Sequence, residues 1–114
     1  ERHRAKAERD RFAPTHLRST VDAAVSTLRS STSTDHVATM ADALGFPVAD
    51  LLGANRQQPL ATARQVAMYV VREVTGLSFP AIGALFGRDH TTVMHGVDRI
   101  RNVIAATEHT TLTA

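Results

Sequence analysis

Apolar residues recur at helical spacing along most of the chain, and nowhere do they alternate as a half-buried strand requires. Leu17, Val21, Ala24, Val25 and Leu28 share one stripe, which predicts a helix from Leu17 to Arg29 that the Ser30–Thr34 run breaks. Ser33 or Thr34 is expected to cap a second helix with Val37, Met40, Ala41 and Leu44 inside, ended by Gly45. Pro47 opens a short helix through Leu51 and Leu52, and Gly53 stops it. Residues 54–62 are polar and aperiodic and read as an exposed loop. Thr62 is the expected cap of a helix from Ala63 to Thr75, with Val66, Tyr69, Val70 and Val74 inward and Gly76 as its stop.

The last third changes character. Ser78 is expected to cap a short helix carrying Ile82, Leu85 and Phe86, with Pro80 in the first turn, where a missing N–H costs little. Gly87-Arg88 makes a tight turn. A final helix from about Asp89 to Ala106 keeps Val93, Val97, Ile100 and Ile104 inside, and the tail EHTTLTA carries no helical pattern. The fold class is therefore all-α, a helical bundle containing a helix-turn-helix. Residues 1–16 read as a basic N-terminal arm or linker helix, 17–107 as the domain and 108–114 as a flexible tail.

Composition narrows the picture in a few respects. At 114 residues the chain has room for one core. Aromatics are only 4% of it, so that core is aliphatic and suits helix-on-helix packing. No cysteine is present, which excludes a disulfide scaffold and a thiolate zinc site. No apolar run reaches the ~18 residues of a membrane span, and the expected location is the cytoplasm, with the nucleoid. The net charge is only +2, but twelve of the thirteen basic residues are Arg, the side chain that forks onto phosphates and guanine edges. The middle of the chain is acidic and both ends are basic, a weak polarity that favours a nucleic-acid partner.

Residues 78–101 carry the chemistry. A helix-turn-helix needs a short supporting helix, a glycine turn and a second helix whose N-terminal side chains are small enough to enter the major groove. Asp89, His90, Thr91 and Thr92 stand at that end. Thr hydrogen-bonds a base and offers a methyl to thymine, Asp accepts from the cytosine amino group, and His bonds a base edge or a phosphate. His95 and Arg99, four apart, share a face that can reach the flanking backbone. The plainer reading makes Asp89 an N-cap and the two threonines solvated first-turn residues. A metal site lacks support, since His90 and His95 are five apart and no HExxH run exists. An enzyme lacks support too: there is no Walker loop, GxSxG elbow or cysteine nucleophile, and no cofactor is implied.

The stretch ARQVAMYVVREVTGLSFPAIGALFGRDHTTVMHGVDRI, from Ala63 to Ile100, strongly resembles the C-terminal DNA-binding domain (domain IV) of the bacterial replication initiator family DnaA. DHVATMADALGFPVADLLGANRQ resembles the part before it, so the resemblance covers about residues 20–105. The resemblance implies a helical fold that reads a nine-base-pair DnaA box of the type TTATCCACA on double-stranded DNA, in replication initiation or its regulation. It implies base reading by Asp89, His90, Thr91 and Thr92 in the major groove and by Arg56 of a basic loop in the minor groove. Narrow minor grooves attract Arg through their negative potential, so that role is physically sensible. Backbone contacts are implied for Arg64, Gln65, Thr75, Pro80, Arg88, His95 and Arg99.

The chain departs from the family pattern in its loop, where NRQQPLATAR offers Arg56 alone before Arg64, and in a single glycine, Gly87, before Arg88-Asp89. An initiator's nucleotide-binding module would precede this domain, and no nucleotide is expected to bind these residues. Two explanations fit: a fragment of a full initiator, or a stand-alone phage or accessory regulator competing for DnaA boxes. Other replication proteins are possible partners. A rival from another class is a protein-interaction module that kept the fold without DNA binding, and QQPL at 57–60 faintly resembles sliding-clamp-binding peptides.

Overall fold

Six helices carry most of the backbone that a computed structural model describes, residues 9–113, with side-chain surroundings for 9–107. They are α1 (Pro14–Ser30), α2 (His36–Leu44), α3 (Val48–Leu52), α4 (Leu60–Thr75), α5 (Phe79–Phe86) and α6 (His90–Thr113). Residues 9–11 are also helical, and no strand occurs among the described residues. The all-α expectation is met.

Helix α4 is the centre. It packs on α6, α1, α2, α5 and α3, so it is buried on more than one stripe: Ala63, Ala67, Met68 and Val71 join Val66 and Val70 in the core. Tyr69 and Val74, expected inside, are only half-buried at its margin. The stripes of α1, α2 and α6 lie where the periodicity puts them, with Leu17, Val21, Ala24, Leu28, Val37, Met40, Ala41, Leu44, Val93, Val97, Ile100 and Ile104 buried. On α5, Ile82 and Phe86 are fully buried, whereas Leu85 is 37% exposed and does not belong to the core. An eight-residue helix has room for only a narrow buried stripe.

Several boundaries differ from expectation for local reasons. The second helix is capped by Asp35, whose carboxylate accepts from the Ala38 N–H at 3.0 Å, not by Ser33 or Thr34. A carboxylate is at least as good a cap as a hydroxyl, and Ser33 Oγ instead accepts from the Asp35 N–H. Helix α4 starts at Leu60, leaving Thr62 inside its first turn, where Thr62 Oγ1 donates to Gln58 Oε1 at 2.7 Å. The arm does not end at residue 16. Phe12 is buried against Phe46, with ring centroids 5.9 Å apart. Arg11 donates to the Ala43 and Leu44 carbonyls at the end of α2, so the docked segment starts before the predicted boundary. The last helix runs through Thr113 rather than stopping near Ala106. No Gly or Pro interrupts EHTTLT, so the helix continues beyond Ile104, the last buried side chain among the described residues. Residues 1–8 of the expected arm lie outside the described residues.

Candidate nucleic-acid interface

Helices α5 and α6 meet in a tight turn whose geometry rests on two glycines. Ser78 caps α5, its hydroxyl accepting from the Ala81 N–H at 3.2 Å, and Pro80 is exposed in the first turn. Gly87 ends the helix in the left-handed region at φ 67°, and the Arg88 N–H reaches back to the Gly83 carbonyl at 2.9 Å. A Cβ at Gly83 would run into the Arg88 carbonyl, so only glycine lets the chain fold back this closely.

Asp89 then caps α6. Its Oδ1 accepts from the Thr92 N–H at 2.8 Å. That bond is the main reason the carboxyl is held below its ordinary range, against a smaller desolvation and aided by the Thr92 hydroxyl, the Thr91 N–H and His90. The structural role considered for Asp89 is therefore real. A carboxylate accepts at about four lone-pair positions, so the cap leaves capacity for a further donor. Beyond it, His90, Thr91, Thr92, His95 and Arg99 are all exposed on α6, while Val93, Val97 and Ile100 point into the core. Met94 is also exposed on this helix, three residues after Thr91, an apolar side chain that the stripe pattern leaves outside. Asp98 is occupied by Arg101, at 2.9 Å.

The remaining sequence-derived residues divide sharply. Gln65 and Arg99 are brought together: Arg99 Nη1 donates to Gln65 Oε1, and to Thr62 Oγ1 at 3.3 Å. Thr75 is exposed at the end of α4, its hydroxyl donating to the Val71 carbonyl at 2.6 Å and accepting from the Leu77 N–H at 3.1 Å. Arg56 is exposed on the α3–α4 loop, where Asn55 Oδ1 accepts from the Gln57 N–H at 2.8 Å and turns the backbone around it.

Arg64 and Arg88 do not join the outward-facing residues. Arg64 is 6% exposed, with Nε donating to the Leu51 carbonyl at 2.8 Å, Nη2 to Asp50 at 2.7 Å and Nη1 to Asn55 at 3.0 Å. Burial first and the nearby Arg88 second lower its pKa, while Asp50 opposes them. Arg88 donates through Nη1 to the Leu52 carbonyl at 3.1 Å and to Phe86 at 2.9 Å, and through Nη2 to Gly53. Burial lowers its pKa as well. Both were expected at the phosphate backbone; here their guanidinium forks are turned onto main-chain carbonyls in and just after α3 and, for Arg88, at Phe86. Sequence reasoning also passed over Arg72. Its Nη1 donates to the Leu77 carbonyl at 2.7 Å and its guanidinium lies 4.4 Å from the Phe79 ring centroid, fixing the entry to α5.

Among the described residues no cluster of three or more His, Cys, Asp or Glu could hold a metal, and no helix is long and apolar enough to cross a membrane.

Comparison with known proteins agrees with this geometry. The bacterial dnaA protein helix-turn-helix family matches residues 33–100. The chain is similar to the chromosomal replication initiator protein DnaA of Cutibacterium acnes, 56% identical over 66 residues that make up 57% of this chain and 13% of that protein. Its counterpart in Picosynechococcus sp. is 51% identical over 65 residues, 56% of this chain and 14% of the relative. The Leifsonia xyli protein is 50% identical over 72 residues, 62% and 15%. The chain thus spans about a seventh of the length of the curated relatives it matches. With the matched segment running from the cap of α2 through the turn and into α6, the chain belongs to the bacterial DnaA helix-turn-helix family and is a DNA-binding domain of that kind.

Proposed function

We propose that the chain binds DnaA-box-like duplex sites sequence-specifically, in replication initiation or its regulation, and that it acts by binding without catalysing a reaction. The observation that carries this reading is the run Asp89–Thr92: four small or polar residues, all exposed, at the start of a helix held behind a glycine-closed turn. None of the four packs in the core, and the helix N-terminus adds exposed N–H groups and a favourable dipole for phosphate. In this reading Thr91, Thr92, His90 and the free capacity of Asp89 meet base edges in the major groove. Arg56 enters the neighbouring minor groove. Gln65, Thr75, Pro80, His95 and Arg99 contact the sugar-phosphate backbone and set register without reading sequence.

The test is a binding panel in which each base pair of a DnaA-box duplex is substituted in turn, run with the parent chain, Thr91→Ala and Arg56→Ala. The expected result is that Thr91→Ala loses discrimination at one or two internal positions only, while Arg56→Ala loses it at the A/T-rich edge. Equal losses at every position for both variants would contradict the assignment.

A further inference from the structure

The loop that carries Arg56 is held by more than its own Asn55–Gln57 turn. The five-residue helix α3 is too short to satisfy its C-terminal carbonyls internally, since each helix leaves its last four without partners. Two arginines from elsewhere bond carbonyls at its end and just beyond it: Arg64 of α4 holds Asp50 and Leu51 and, in the loop, Asn55, and Arg88 of the α5–α6 turn holds Leu52 and the following Gly53. A cation placed at the negative end of a helix is also favoured electrostatically, which helps two guanidiniums share the spot. On the far side of Arg56, Gln58 Oε1 accepts from the Thr62 N–H and hydroxyl, and Thr62 Oγ1 accepts from Arg99 of α6. Arg56 therefore sits between two anchors, each ending on the helix-turn-helix itself.

We propose that Arg88 is a positioning residue for specificity: it latches the Arg56 loop to the turn before the recognition helix, so that both reach DNA at a fixed separation. This extends the proposed minor-groove role of Arg56 and rests on it. Two contacts read adjacent grooves as one site only if their offset is fixed before binding, because otherwise ordering the loop costs part of the affinity that distinguishes the right flank. Arg88 serves better than lysine because its planar fork spans two successive carbonyls, Leu52 and Gly53, where an ammonium on a flexible stem has no such fixed geometry. Unlike Arg64 it is only half-buried, so its removal leaves the core intact.

The experiment pairs a DNA-free and a DNA-bound readout on Arg88→Ala, Arg88→Lys, Arg56→Ala and the Arg56/Arg88 double alanine variant. Hydrogen exchange without DNA is expected to show faster exchange at residues 53–58 in Arg88→Ala, with 93–100 of α6 still protected. On duplexes differing only at the A/T edge, Arg88→Ala is expected to lose about threefold to tenfold in flank preference, the double variant no more than Arg56→Ala alone, and Arg88→Lys to recover only part. Discrimination by Thr91 and Thr92 and the salt slope are expected to stay unchanged. A slope reduced by about one with flank preference intact would make Arg88 a phosphate contact and overturn the latch, as would unchanged loop exchange. If Arg56→Ala leaves flank preference untouched while Arg88→Ala frees the loop, the minor-groove reading fails and the latch stands.

Discussion

Thr91 and Thr92 are exposed first-turn residues with no core contact, so truncating either one removes little that the fold needs. Thr91→Ala should weaken binding to the preferred site by about 1–3 kcal/mol and relax one base position, at a melting temperature close to that of the parent. Arg64 behaves oppositely. Arg64→Ala strips hydrogen bonds from three carbonyls at once, and urea denaturation should show a loss of about 2–4 kcal/mol. An unchanged midpoint would return Arg64 to the surface. Asp89 adds a pH signature. Its folded pKa is depressed, so its cap contributes stability above the ordinary carboxylate range, and that contribution disappears as pH falls below about 4. Asp89→Ala should flatten that part of the melting-temperature profile, which a thermal scan from pH 7 to pH 3 would register.

At the scale of elements, the turn between α5 and α6 is the least tolerant feature. Gly83→Ala drives a methyl into the Arg88 carbonyl, a clash with backbone that no rotamer change relieves. Far-ultraviolet circular dichroism should retain helix while specific DNA binding is lost; full binding would mean that the turn relaxes at little cost. The elements themselves were legible because α1, α2 and α6 each bury one 3.6-period stripe, and because Gly45, Gly76 and Gly87 stop helices by adopting positive φ. The α3–α4 loop was not. NRQQPLAT has no period, and the residues that lead into it, Leu52 and Gly53, are held by Arg88, 36 and 35 residues further on, while Arg64 holds the Asn55 carbonyl; carbonyl partners leave no trace in side-chain pattern. The main-chain bonds of Arg64 and Arg88 were illegible for the same reason: sequence identifies an arginine but not whether its fork faces phosphate or main chain. The exposed Asp89–Thr92 run was legible because a groove-reading end needs small polar residues just where an N-cap permits them.

For the molecule as a whole, turning Arg64 and Arg88 inward changes the expected electrostatics. The net charge is only +2, and of the arginines assigned to DNA only Arg56 and Arg99 remain. Neutralising few phosphates releases few counterions, so the logarithm of affinity should fall with the logarithm of salt at a slope no steeper than about −3. A slope near that of an extended basic surface would show that further cations reach DNA. With so small an electrostatic share, specificity has to come from the recognition helix and the anchored loop acting together. The central claim is therefore tested most directly by fluorescence anisotropy of the chain on a DnaA-box duplex and a scrambled duplex of equal composition, at two salt concentrations. The account predicts binding to the box tighter by about 10³ or more at moderate salt. Equal affinity for both duplexes would contradict it.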